Sequence, residues 1–288
     1  MSATPVHEAV AHAAPDAAAP TAPAAPARLA GERRSQQFLS RYVLPVLVVV
    51  FALAAWDAAV RLSGSTLFPR PIEVAAGIGE LARQGLLLKY IAASRFRVTW
   101  GFTLAVLVGV PLGLFMGWFS WAANALNPIV QALRPISPIA WIPIAILWFG
   151  ISDAAPVFLI FLASVFPITV SSMAAVSNIQ PVYVRAARNF GLSRVQLFRR
   201  VIVPATLPQI ITGLRIALGI AWLVVVAAEM IAVNSGLGYL IIDARNAGKR
   251  YDLVVAGMVM IGAIGLILDI LVRRLERFDA VRWGYSRR

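Results

Sequence analysis

The sequence predicts an all-α fold, a polytopic membrane helix bundle with about six transmembrane helices. Three observations lead there. Of its 288 residues, 60% are hydrophobic and only 14% charged, whereas soluble domains run near half apolar and about a quarter charged. Several apolar runs reach the roughly 20 residues that a helix needs to cross a bilayer. The basic residues, almost all Arg, cluster at the ends of those runs, as orientation signals do.

The same composition excludes several functions. A formal charge of +13 suggests nucleic acid, but its distribution at span ends points to membrane orientation, so no nucleic-acid partner is expected. The absence of Cys removes disulfides, zinc-thiolate sites and thiol catalysis. The only histidines, His7 and His12, sit in a low-complexity tail, so a histidine general base is not expected.

In chain order, residues 1–40 form an Ala/Pro-rich tail, expected to be disordered because it cannot bury enough apolar surface to offset ordering entropy. No apolar core with a cleavage site follows at signal-peptide spacing, so its retention is expected. Residues 41–62 form the first transmembrane helix, with its apolar run over Tyr42–Leu62. Residues 63–97 are predicted extracytoplasmic, with an amphipathic surface helix over Pro71–Arg97. The transmembrane core, 98–275, holds further spans near 98–119, 127–149, 155–176, 207–232 and 253–275. A basic tail, 276–288, closes the chain. No internal repeat is visible. Alternate loops carry 15 Lys and Arg on one side and 8 on the other, which places both termini in the cytoplasm.

The 177–206 loop is long for a membrane hairpin and carries its own helical design. Pro181 suits a first helical turn. Gly191 suits a helix C-terminus with positive φ. Ser193 followed by Gln196 reads as a capping box opening a second short helix. Pro204 and Pro208 punctuate the approach to the next span. Ala186 and Ala187 leave a low-relief face on which another protein could approach. Arg185, Arg188, Arg194, Arg199 and Arg200 fit equally a helix lying on anionic membrane lipid, and local chemistry leaves both readings open.

Within the spans, Gly109, Gly113 and Gly117 recur every fourth residue, a stripe that permits close helix packing. Pro135, Pro138 and Pro143 break the third span. Broken helices survive in a bilayer where protein or a watery cavity satisfies the freed carbonyls, so Ser137, Pro138 and Trp141 are candidates to line a pathway, with a kinked packing helix as the alternative. Glu229 lies well inside the fifth span and is a further pathway candidate, since intramembrane charges are costly and often functional. Pairing with an Arg or a structural hydrogen bond is favoured over contact with a solute. No phosphate loop, HExxH pair or nucleophile elbow occurs, so no catalytic site emerges and the chain is not expected to be an enzyme.

Ala186–Ala187, Gly191, Val201 and Val203–Pro204 resemble, in order and spacing, the cytoplasmic loop signature of bacterial ABC-importer permeases. GFTLAVLVGVPLGLFMG (101–117), PISPIAWIPIAILWFG (135–150) and SGLGYLI (235–241) resemble the nitrate, sulfonate and taurine branch, over roughly residues 70–285. The departure is Arg185, where that family usually has Glu. The resemblance implies a type I ABC-importer permease fold whose loop 181–204, with Tyr183, Arg185, Ala186, Ala187, Gly191, Val201, Val203 and Pro204, couples to the ATPase. It implies two cytoplasmic ABC ATPase subunits, a second permease copy and an extracytoplasmic substrate-binding protein. ATP and Mg would bind the ATPase and no cofactor this chain. The solute would be small and carry an anionic group, as nitrate, sulfonates and taurine do. The alternative is a secondary transporter driven by an ion gradient, for which inverted repeats would be expected.

Overall fold

The structure is a computed structural model that describes residues 43–64 and 67–275. The predicted tails, with His7, His12 and the arginines counted there, lie outside the described residues. Among the described residues the elements are all helices, as the fold class requires. The chain divides after Ala55 into two compact units. The first holds the opening of α1 (Leu44–Ser63), the apolar run LPVLVVVFALAA.

Among the described residues the second unit contains ten further α-helices. They are α2 (Pro71–Arg83), α3 (Leu86–Trp118), α4 (Ser120–Leu133), α5 (Ile142–Phe149), α6 (Ala154–Ser177), α7 (Pro181–Asn189), α8 (Arg194–Leu197), α9 (Val203–Ala232), α10 (Leu237–Gly248) and α11 (Tyr251–Leu275). Four of these helices, α1, α3, α6 and α11, are long and apolar enough to cross a membrane, as is the continuous stretch Arg194–Ala232. A sixth span arises if α4 and Pro138–Phe149, bent by 83°, are counted as one.

The axis of the bundle is the pair α3 and α6. Gly101, Gly109, Gly113 and Gly117 all face α6, with buried Ala105 filling the remaining step of the stripe. A Cβ on Gly109 would lie 2.9 Å from Ile168 Cγ2, and one on Gly117 2.6 Å from Val176 Cβ. On Gly113 it would collide with the Thr169 carbonyl. Side chains at these positions would force apart helices that otherwise touch backbone to side chain, the contact small residues allow in lipid. On its other side α6 packs on α9 through Ala163, Leu159, Val224 and Ala228. Trp222 of α9 donates from Nε1 to the Ile261 carbonyl of α11 at 3.1 Å. Arg215 and Asp269 add an ion pair of 2.9 Å between the same helices.

Four boundaries differ from the sequence expectation. The predicted surface helix 71–97 and second span 98–119 are instead α2, a turn at Gly85, and one 33-residue helix, α3. Lys89, Arg95 and Arg97 read as a span boundary, but Arg97 faces inward and is paired, and a neutralised charge does not end a span. The gap left between the spans expected near 98–119 and 127–149 is helical, because only Phe119 separates α3 from α4. The second short helix of the 177–206 loop is not separate: α8 runs through a π turn at Phe198–Ile202 into α9. In that turn Val203 N–H donates to the Phe198 carbonyl five residues back, a wider ring that accommodates the missing donor of Pro204. Finally, the connection left between the spans expected near 207–232 and 253–275 is mostly the helix α10. Leu237, Leu240, Ile241 and Ala244 fill its buried face, the i, i+3, i+4, i+7 spacing of an amphipathic helix.

Candidate functional site

Two polar or exposed places stand out at opposite ends of the α3–α6 pair. At the end where α3 begins and α6 begins, Ser94 and Arg97 stand one turn apart on the inner face of α3, in phase with buried Leu87, Tyr90 and Gly101. Arg97 Nη1 lies 2.7 Å from Glu229 Oε1 of α9 and 2.7 Å from the Ser235 carbonyl. Its Nη2 reaches Asp153 Oδ1 at 2.6 Å and the Ser235 hydroxyl. Glu229 Oε2 accepts from Ser94 Oγ at 2.8 Å and from Gly238 N–H at 3.0 Å. Ser94 Oγ in turn accepts Leu237 N–H at 3.0 Å. The Arg97 side chain is 1% exposed and that of Glu229 0%, while Asp153 is 60% exposed.

The 235–241 motif is the backbone half of this network. Leu237 and Gly238 open α10, where N–H groups have no intrahelical acceptor and the helix dipole favours an anion. Ser94 takes one of those groups and Glu229 the other. Gly236 has φ of 105°, a region L side chains rarely occupy, and any Cβ there would collide with the Glu229 carboxylate. A Cβ on Gly238 would collide with the Val226 carbonyl. The motif therefore allows the chain to close over a buried carboxylate. Glu229 is paired with an Arg, the favoured reading, and in this conformation it is closed to a passing solute.

At the opposite end, the hairpin of α7 and α8 packs on the ends of α3 and α6. Ala187, Leu197, Ile202 and Val176 form a buried cluster with Leu114 and Trp118 around it. Ser193 and Gln196 close a reciprocal cap, Ser193 N–H to Gln196 Oε1 at 3.0 Å and Gln196 N–H to Ser193 Oγ at 3.4 Å. Gly191 has φ of 73°, and among the described residues nothing lies within 4 Å of a Cβ built there. Val201 and Val203 are half-buried and Pro204 exposed. One expectation is corrected: Ala187 is not on the open face, because helical spacing turns Val184 and Ala187 inward together. The open face carries Tyr183 and Phe190, 57% and 85% exposed, with Ala186 between them and Arg185 and Arg188 beside.

Ser137, Pro138 and Trp141 lie at the bend between α4 and α5. Pro138–Trp141 is one 3-10 turn, and Ala140 N–H donates to the Ser137 carbonyl at 3.0 Å. Ser137 is exposed, whereas Pro138 and Trp141 border an apolar cavity of about 70 Å³ with Leu162 and Phe166. Glu229 is held elsewhere, by α3 and α10. Sequence reasoning singled out Glu229 and SGLGYLI but missed Ser94, Arg97 and Asp153. The signal for the first two was their phase with the apolar face of α3. Among the described residues no group of three or more His, Cys, Asp or Glu stands together as a metal site.

The sequence profile of one family, the binding-protein-dependent transport system inner membrane component, matches residues 109–278, from the glycine stripe through the hairpin to α11. The chain belongs to this family. The permease is 38% identical to the taurine transport system permease protein TauC of Escherichia coli, over 84% of this chain and 88% of that one. It is 35% identical to the nitrate import permease protein NrtB of Leptolyngbya laminosa, over 85% and 95%. The putative aliphatic sulfonates transport permease protein SsuC of Escherichia coli is 36% identical, over 84% and 92%. Among solved structures, the permease resembles the inward-facing MetNI methionine ABC transporter with a TM-score of 0.60, at 18% identity over 71% of this chain and 99% of that one. A bacterial alginate ABC transporter gives a TM-score of 0.58 at 14% identity, over 88% and 98%. These likenesses show the type I importer-permease fold.

Proposed function

We propose that the permease translocates a small solute carrying an anionic group, of the nitrate, sulfonate or taurine type, delivered by an extracytoplasmic binding protein. It works as a dimer driven by two ATPase subunits, which carry the ATP and Mg. The observation that supports the mechanical role is the hairpin. Its inner face is fused to the ends of α3 and α6 through Ala187, Leu197, Trp118 and Val176. Its outer face leaves Tyr183, Ala186 and Phe190 open. Force applied there enters the two helices that form the axis of the bundle and that end, at the far side, beside Arg97 and Asp153. The three relatives named above support the class of solute.

The orientation follows from the same elements. The basic side of the chain, 15 against 8 Lys and Arg, holds the hairpin and both termini and lies in the cytoplasm. Arg97 counts toward the weaker side but is buried against Glu229, so its pairing sharpens the bias. Ser137, Pro138 and Trp141 belong to the bend through which α4 and α5 yield as the bundle moves.

The test is reconstitution with the cognate ATPase and binding protein, following uptake of nitrate, taurine and ethanesulfonate. Uptake of one of them should require ATP and survive an uncoupler. Gly191→Val should insert normally yet lose the ATPase, because a β-branched residue resists positive φ. ATP-independent uptake, or full uptake with Gly191→Val, would overturn the reading.

A further inference from the structure

The third span contains a feature that the coupling hairpin and the Arg97 network leave unexplained. Within α4 and its C-cap, every Ser, Asn, Gln and Arg falls at one of five positions: Ser120, Asn124, Asn127, Gln131 and Arg134. The steps are four, three, four and three, so at 3.6 residues per turn the five side chains share an arc of about 80°. Arg134 retains helical backbone angles and so continues the stripe. A helix in lipid gathers its polar side chains on one edge when that edge meets water or protein.

Three features of that edge suit water and a polar solute. Ser120, Asn124 and Asn127 border an open cavity of about 480 Å³ lined also by Met116 and Met173, within the roughly 300–1,000 Å³ usual for small-molecule sites. Asn127 Oδ1 is buried beside it with no hydrogen-bond partner among the described residues, an acceptor that a polar group would satisfy once the side chain turns into the cavity. At the far end, Arg134 is exposed and forms no ion pair among the described residues. Three arginines within helices contrast with it by pairing: Arg97 meets Glu229, Arg61 meets Asp57, and Arg215 meets Asp269. A cation left open at the bend of a membrane-spanning segment attracts anions.

We propose that the polar edge of α4 lines the translocation path and that Arg134, at its end, is the residue that selects an anionic solute such as a sulfonate or oxyanion. The proposal rests on the importer reading above and assigns the substrate class to a residue of this chain. Asn124, Asn127 and Gln131 supply neutral donors and acceptors along the path, which a solute can exchange for water without being trapped.

The chain has no native Cys, so single cysteines report the path directly. In membranes containing the full complex, Asn124→Cys, Asn127→Cys and Gln131→Cys should react with 2-sulfonatoethyl methanethiosulfonate, itself a small sulfonate. Ala125→Cys, Ile129→Cys and Ala132→Cys, on the opposite face of α4, should not. With Asn127→Cys, adding Arg134→Gln should lower the rate ratio of this anionic reagent to its trimethylammonioethyl counterpart by about tenfold, the field of one charge roughly 10 Å away. Arg134→Lys should preserve the ratio. Labelling that ignores the face, or a ratio unmoved by Arg134→Gln, would overturn the proposal, the second result meaning that Arg134 pairs with another subunit. Because labelling needs no turnover, a complex that labels as expected but imports none of nitrate, taurine and ethanesulfonate would refute the importer reading and leave the path standing.

Discussion

Cutting the buried ion pair between α3 and α9 should have an asymmetric cost. Removing one partner of a buried pair strands the other charge and destabilises by about 3–5 kcal/mol. Glu229→Gln leaves Arg97 with a second carboxylate, Asp153, at 2.6 Å, so the cost belongs at the lower end, about 3 kcal/mol. Arg97→Met leaves Glu229, 0% exposed, with only the neutral donors Ser94 and Gly238. Its cost belongs at the upper end, about 5 kcal/mol. The double variant removes both charges, so it should cost less than the sum of the singles by at least about 2 kcal/mol. At 1.4 kcal/mol per tenfold, Glu229→Gln alone should lower the folding equilibrium about two orders of magnitude. Equilibrium unfolding in mild detergent, followed by tryptophan fluorescence, measures all four corners of the cycle. Additivity within about 0.5 kcal/mol, or Glu229→Gln proving worse than Arg97→Met, would refute the assignment of the network as a single buried unit.

Three further outcomes follow from the geometry. Gly236→Ala, which combines positive φ with a collision at the Glu229 carboxylate, should cost about 1–3 kcal/mol or more, seen as loss of monodisperse protein on heating. Gly113→Ala should loosen the α3–α6 contact through its collision with the Thr169 carbonyl, whereas Gly219→Ala, with nothing within 4 Å, should be neutral or stabilising by up to about 1 kcal/mol; equal effects in the same heating assay would contradict the packing. Arg250 holds Glu80 at 2.7 Å across α2 and α11, and this hydrogen bond pushes the Glu80 carboxyl below the ordinary glutamate range. A carboxyl depressed in the folded state stabilises above its unfolded pKa and loses that contribution as pH falls through the folded value. Glu80→Gln should therefore be slightly less stable than wild type near pH 7 and equal to it well below the ordinary value of about 4.3; a difference that persists in acid would argue against the pair.

What the sequence determined by itself was the solvent and whatever local chemistry fixes. Long apolar runs in lipid must satisfy their backbone internally, so the all-α class followed from composition and run length. The Ser193–Gln196 cap and the positive φ of Gly191 were legible because each depends on a few consecutive residues. Tertiary structure decided what depends on distant partners. Arg97 and Glu229 lie 132 residues apart, and only their pairing makes α3 one helix through a cluster of charges that otherwise reads as its boundary. Ala187 turned inward because Leu197 and Val176 wait there, which no property of α7 alone reveals. Gly236 and Gly238 showed their purpose only when Glu229 came between them and α3. Periodicity specifies which face of a helix is apolar, but the identity of what covers that face, and so the protonic and steric fate of each polar residue on it, is set by the other helices of the bundle.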